Sequence, residues 1–353
     1  MTQDTFDGRR RARHALVMKT AGPAHDALAA QLPPGYRVRD FDDADRETLV
    51  EDRNAEHDLM QRGSADEWRE WERLVPPKDE LRITVVAPDG AVAGTATIGP
   101  GMFERPDGTL SGGVGIVRAH RRRGIGRVLL GAIEAEAHRR NAPRILGSAS
   151  AAIAAGLAFA TSAGYREIGR RIESYVKLDE FDATPFAAEV KRVTESGIAF
   201  TTIADVLASR DEAGQEAFWR ELYEAEGPMW DDIPWASPMP HWSFERFRKL
   251  AVRSGKLIEG ASLLAYDGPA IVAFTTTGRQ GDKGHTWMTG TARAYRGRGI
   301  ALALKVAMLE RAAAAGLGAM LTTNDEPNKA MRGINAKLGY VMLPAQIELE
   351  KQL

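Results

Sequence analysis

The 353-residue chain contains no cysteine. That excludes disulfides, thiolate nucleophiles and cysteine-ligated zinc together. It also lacks a charge excess: 47 Lys+Arg stand against 48 Asp+Glu, for a formal net charge of −1. A sequence-independent nucleic-acid binder carries a clear basic surplus, so nucleic acid is not an expected partner and any anion recognition must be local. No apolar run is long enough to cross a bilayer. Arg9, Arg10, Arg11 and Arg13 have no hydrophobic segment behind them, so they read as a solvated tail and not a secretory signal. A cytoplasmic location without membrane partners is the simplest expectation. The seven histidines form no close pair with a nearby acid at ligand spacing, so no metal is expected.

What is present is a repeat. Arg121-Arg122-Arg123-Gly124-Ile125-Gly126 returns as Arg296-Gly297-Arg298-Gly299-Ile300-Ala301, at an offset of 175 residues. Leu146 and Leu321 keep that offset, and so do Gly164-Tyr165 and Gly339-Tyr340. A constant offset across separate landmarks marks two copies of one unit. A polar stretch from Asp179 to Val193 with Pro185 reads as the linker. The expected division is a tail or accessory helix over 1–34, a first domain over 35–185 and a second over 186–353. Each half reads as strand, two helices, three strands, helix, strand, helix and strand, with hairpin signals at Pro88-Asp89-Gly90 and Asp267-Gly268-Pro269.

A strand entering a glycine-rich turn and then a helix is suited to an anion. The first helical turn leaves backbone N–H groups without partners, and the macrodipole adds a positive end. Gly124, Gly126 and Gly299 let the backbone approach oxygen atoms, and Ala301 is the small residue at the remaining position. Arg121, Arg122 and Arg123, or Arg296 and Arg298 beside Gly297, add charge that matches a diphosphate. No Lys-Ser or Lys-Thr follows the glycines, which excludes a Walker loop, and neither copy completes GxGxxG.

An arginine-rich RxxGxG/A turn at a strand-to-helix junction, closed by a Gly-Tyr pair, resembles the GNAT superfamily of acetyltransferases. The tandem layout is similar to that of mycothiol synthase and other two-domain members. The resemblance implies an α/β (α+β) fold: two tandem domains, each with a mixed, mainly antiparallel central sheet flanked by helices. It implies acetyl-CoA, with the diphosphate on the turn (Ile125 and Ile300 opening the helices) and the pantetheine along the preceding strand, near Val117 in one half and Thr289-Gly290-Thr291 in the other. It also implies a cofactor-holding asparagine eleven residues before the closing glycine. That position is Asn328 in the second half and Ile153 in the first, so the second half is expected to be catalytic. The family's acidic tyrosine, four residues before the glycine, is replaced by Ala160 and Asn335. A hydrogen-bond donor such as Asn335, or water, would have to serve the leaving thiolate.

The implied reaction is attack of an amine on a thioester, with Asp231 and Asp232 as candidate bases in a loop over 227–234 walled by Trp230 and Trp235. Asn324, at a strand end, would hold acceptor or pantetheine. The expected acceptor is a small-molecule primary amine. A protein or peptide amine, and a non-catalytic acyl-CoA-binding module, are the alternatives. The protein is expected to be a monomer or homodimer.

Overall fold

The computed structural model describes residues 23–237 and 239–353. The basic cluster at Arg9–Arg13 and most of the expected 1–34 tail lie outside the described residues. Contacts divide the described residues into two compact units, one running to residue 147 and including 350–353, the other covering 148–349. Among the described residues no helix is long and apolar enough to cross a membrane.

The first unit opens with α1 (Pro23–Ala29), β1 (Arg37–Asp40), α2 (Asp45–Asn54) and α3 (Ala65–Leu74). Then come β2 (Leu81–Val86), β3 (Val92–Gly99), β4 (Leu110–Ile116), α4 (Ile125–Arg139) and the start of β5 (Arg144–Ser150). Strands β1 to β4 form an antiparallel meander, and β5 joins β4 in parallel. The β2–β3 turn falls on the predicted Pro-Asp-Gly, where Gly90 takes φ 91°. Helix α4 buries Ile125, Leu129, Ile133 and Ala137, one stripe at four-residue spacing. The four C-terminal residues belong here too: the Leu353 N–H donates to the Pro143 carbonyl at 3.1 Å.

The second unit holds α5 (Ala154–Ser162), β6 (Arg166–Lys177), α6 (Ala187–Glu195), β7 (Ala199–Thr202), α7 (Ile203–Ala208), α8 (Glu212–Trp230) and α9 (Phe244–Phe247). It continues through β8 (Leu263–Asp267), β9 (Ala270–Gln280), β10 (Lys283–Thr291), α10 (Ile300–Ala314), β11 (Ala319–Asp325), α11 (Lys329–Lys337), β12 (Val341–Met342) and the start of β13 (Gln346–Gln352). Its strand order is β6-β11-β10-β9-β8-β7; β10 and β11 are parallel and the other pairs antiparallel.

Three features depart from the linear reading. Strand β6 lies in the first repeat by sequence, yet it pairs with β11 along seven residues, from Ala319↔Lys177 to Asp325↔Arg171. The polar stretch around Pro185 is no slack linker, because α6 follows it and buries Val193 in the core shared with α10. The expected loop at 227–230 is helical: α8 runs through Gly227 and Pro228 to Trp230, because burial of Met229 outweighs the breaking tendency of a proline in the last turn.

Candidate functional site

Both arginine turns adopt the same backbone form. In the second unit, Gly297 has φ 75° and Gly299 φ 84°, and α10 starts at Ile300. In the first, Arg122 has φ 63° and Gly124 φ 84°, before α4. Left-handed residues at matched positions produce a concave nest of main-chain N–H groups at a helix N-terminus. Neither N-cap glycine supplies a side-chain acceptor, so the turn's donors stay available for an anion. Arg122 holds a conformation that costs a non-glycine residue about 1 kcal/mol, a strain that Gly297 avoids in the second copy.

The leading arginine of each turn is a brace. Arg296 Nε donates to the Thr291 carbonyl at 3.0 Å, and its Nη2 bonds the Asp232 carboxylate. Arg121 repeats this, with Nε on the Ile116 carbonyl at 2.9 Å and Nη1 on Glu56 Oε1 at 2.8 Å. Asp232 also receives Arg293, whose Nε lies 2.9 Å from Oδ2. Hydrogen bonds from Arg293 and then Arg296 hold its carboxyl far below the usual carboxylate range. A carboxylate so engaged is a poor proton acceptor. Asp231 caps α8 and is exposed. Arg122, Arg123, Arg296 and Arg298 are all exposed; the Arg298 guanidinium stands 4.8 Å from the Tyr295 ring centre.

Above the second turn the sheet parts. Strand β10 pairs with β11 only from Lys283↔Ala319 to Thr286↔Thr322, but follows β9 as far as Thr291. A bulge between Thr286 and Met288 marks the divergence. Beyond it, Thr289-Gly290-Thr291 form one bank and Thr323-Asn324-Asp325 the other. Gly290 lets α8 pack closely on this bank: a Cβ there would fall 2.5 Å from Met229 Sδ. The Thr291 hydroxyl is buried with no partner among the described residues. In the first unit, β4 and β5 likewise pair only at Leu110↔Ile145 and Ser111↔Leu146.

The two faces of the split differ. Toward α10, Thr275 and Thr286 contact Met308, while Thr275 and Thr289 share a hydrogen bond of 2.8 Å. Asn335, 3% exposed, donates from Nδ2 to Asn324 Oδ1 at 2.7 Å, and its own Oδ1 has no partner among the described residues. The two asparagines therefore clamp α11 to β11. Asn328 caps α11, accepting from the Met331 N–H at 3.2 Å, whereas Ile153 leaves α5 without a side-chain cap. Lys305 is fully buried under Tyr340, its Nζ 5.0 Å from the ring centre.

The opposite face, toward α8, carries groups that the linear sequence did not flag. His285 Nε2 and Thr323 Oγ1 lie 3.3 Å apart. Burial first, then the Arg171 guanidinium, pushes the His285 imidazole down to about 4. The ring is neutral at pH 7. Two residues beyond Thr323 on this face is Asp325, opposite Arg171 of β6. Asp325 was missed because its setting depends on a strand from the other repeat.

Comparison with known proteins agrees with this architecture. A family model described as Acetyltransferase (GNAT) domain matches residues 186–327, and one described as Acetyltransferase (GNAT) family matches residues 44–165. No curated protein matches the chain. Among solved structures it is similar to a GCN5-related N-acetyltransferase from Sphaerobacter thermophilus, at 23% identity over 91% of this chain and 96% of that one, with a TM-score of 0.68. It is also similar to a tandem GNAT protein from the clavulanic acid biosynthesis pathway, at 19% identity over 90% of this chain and 98% of that one, with a TM-score of 0.66. These identities speak to the fold alone. With two domain matches in series and the same nest and strand split in both halves, the chain belongs to the GNAT acetyltransferase family, as two GNAT domains in tandem.

Proposed function

We propose that the chain is an acetyl-CoA-dependent N-acetyltransferase whose second domain, over 186–353, moves an acetyl group to the amine of a small molecule. The supporting observation is continuity: the Gly297–Gly299 nest follows directly on the β10 bank of the strand split. Diphosphate, pantetheine and thioester would thus lie along one line. Backbone N–H groups of the nest and the exposed Arg298 would bind the diphosphate, while Arg296, braced by Asp232, fixes the turn to the strand. Bound acetyl-CoA supplies an activated acyl group. Thr289–Thr291 would orient that group through main-chain donors on the open edge of β10.

Asn328 and Asn324-Asn335 support the cofactor bank as cap and clamp, so Asn335 acts through position and not as an acid. The first domain, over 35–185, keeps its nest at Val117–Gly126 and remains a second candidate CoA site. A small-molecule acceptor is favoured over a protein or peptide because Trp230 and Trp235, with ring centres 5.0 Å apart, crowd the end of α8.

Thiol release from acetyl-CoA with a panel of primary amines tests the activity. Arg298→Ala is expected to raise KM for acetyl-CoA about tenfold or more, the loss of one charge-assisted phosphate contact, and Arg123→Ala much less. Equal effects would contradict the ranking of the halves. Asp232→Asn is expected to keep kcat within about threefold, as a brace and not a base should. A loss of about a hundredfold or more would restore Asp232 as the proton acceptor.

A further inference from the structure

We propose that Asp325 is the proton acceptor for the substrate amine, on a face of the sheet that a strand of the first repeat helps to build. The inference rests on the acetyltransferase reading above and deepens it.

Asp325 lies on the α8 face of the split sheet, where β6, β11 and β10 are neighbours. Two glycines on this face are covered at close range. At Gly290 the α8 residue Met229 is in contact, and at Gly169 an added Cβ would come within 2.3 Å of the Ala236 Cβ. Gly169 shares its face with Arg171, since alternate strand residues point the same way. The segment after α8 therefore covers β6 beside Arg171. Trp235 Nε1 and Ser237 Oγ in that segment are buried without hydrogen-bond partners among the described residues, as is Arg171 Nε on β6.

Asp325 is 5% exposed. Among the described residues, no other residue's hydrogen bond or ion pair holds its carboxylate; Arg171 lies opposite but does not close a bridge. An ionised carboxylate buried in this way is costly unless something binds it. Other charged and titratable groups on this face are Glu173 of β6 and His285 of β10, with Glu348 bordering Gly169 and Asp231 at the end of α8. Burial pushes the Asp325 carboxyl up, and Arg171 partly opposes that. Such a group is both a counter-ion for an ammonium and a better base than an exposed aspartate.

In the proposed step Asp325 takes one proton from the ammonium. The nitrogen lone pair forms the N–C bond to the acyl carbon, and the C–S bond breaks with its electron pair on sulfur. The second nitrogen proton leaves with the thiolate, giving amide and free thiol, and Asp325 returns its proton to solvent.

The test uses the full chain, acetyl-CoA, and tyramine, putrescine and glucosamine as amine probes. Asp325→Asn is expected to keep coenzyme A affinity, lower kcat about 100-fold and abolish the acidic limb of the pH–rate profile. Arg171→Met, which removes the opposing cation, is expected to move that limb to higher pH. A second readout needs no turnover. A raised carboxyl pKa contributes stability that is present below its unfolded value and lost as pH rises through the folded value. The unfolding midpoint of Asp325→Asn should therefore exceed that of the wild type near neutral pH, the gap closing below pH ~4. Unchanged kcat and pH profile, or a wild type that gains stability over the variant as pH rises, would overturn the assignment. Absence of coenzyme A binding by the wild type would overturn the acetyltransferase reading along with it, so the affinity separates the two failures.

Discussion

Lys305→Met is expected to make the protein more stable by roughly 2–5 kcal/mol at pH 7. Lys305 is 0% exposed, and its Nζ has no hydrogen-bond partner among the described residues, only the face of Tyr340. Burial lowers its pKa from 10.5 to about 7. A lysine depressed in the folded state contributes stability that is present above its unfolded pKa and lost as pH falls through the folded one. Wild-type stability should therefore climb between pH 7 and pH 10, and the advantage of the methionine should shrink over the same range. Urea unfolding of both proteins at the two pH values measures this. A methionine variant less stable than the wild type at pH 7 would show that Lys305 has a partner worth more than its desolvation.

Gly299→Val is expected to weaken coenzyme A binding about 100-fold or more, which is roughly 3 kcal/mol. Two effects combine. The residue sits at φ 84°, a conformation a β-branched side chain resists strongly. An added Cβ would also come within 2.9 Å of both Arg192 Nη2 and Glu189 Oε1 on α6. Arg192 further donates from Nη1 to the Arg298 carbonyl at 3.4 Å, so displacing it disturbs the nest from outside as well. Gly124 shares the φ of 84° but, among the described residues, has nothing within 4 Å of its Cβ position. Titration calorimetry with coenzyme A, paired with circular dichroism to confirm folding, separates lost binding from lost structure.

Much of this architecture was legible because the repeat fixes backbone chemistry locally. The strand, the glycine turn and the helix at 121–126 and 296–301 depend on residues adjacent in sequence, and they form where expected. The hairpin at Pro88-Asp89-Gly90 did so for the same reason. What could not be read was set by distant contacts. Pro228 looked like a helix stop, but Met229 packs on Gly290 and carries the helix past it. Asp232 looked like a free carboxylate, yet Arg293 and Arg296 take it up. Asn335 looked like a substitute for an acid, and its amide instead reaches Asn324. Arg171 drew no notice because nothing in a linear reading pairs the last strand of the first repeat with β11.

Whether the Arg296–Ala301 turn carries coenzyme A is tested by calorimetric titration of coenzyme A into the wild type, Gly299→Val and Gly124→Val. The wild type is expected to show a site that Gly299→Val weakens about 100-fold or more and Gly124→Val keeps. Binding that survives unchanged in Gly299→Val and vanishes in Gly124→Val would contradict this expectation.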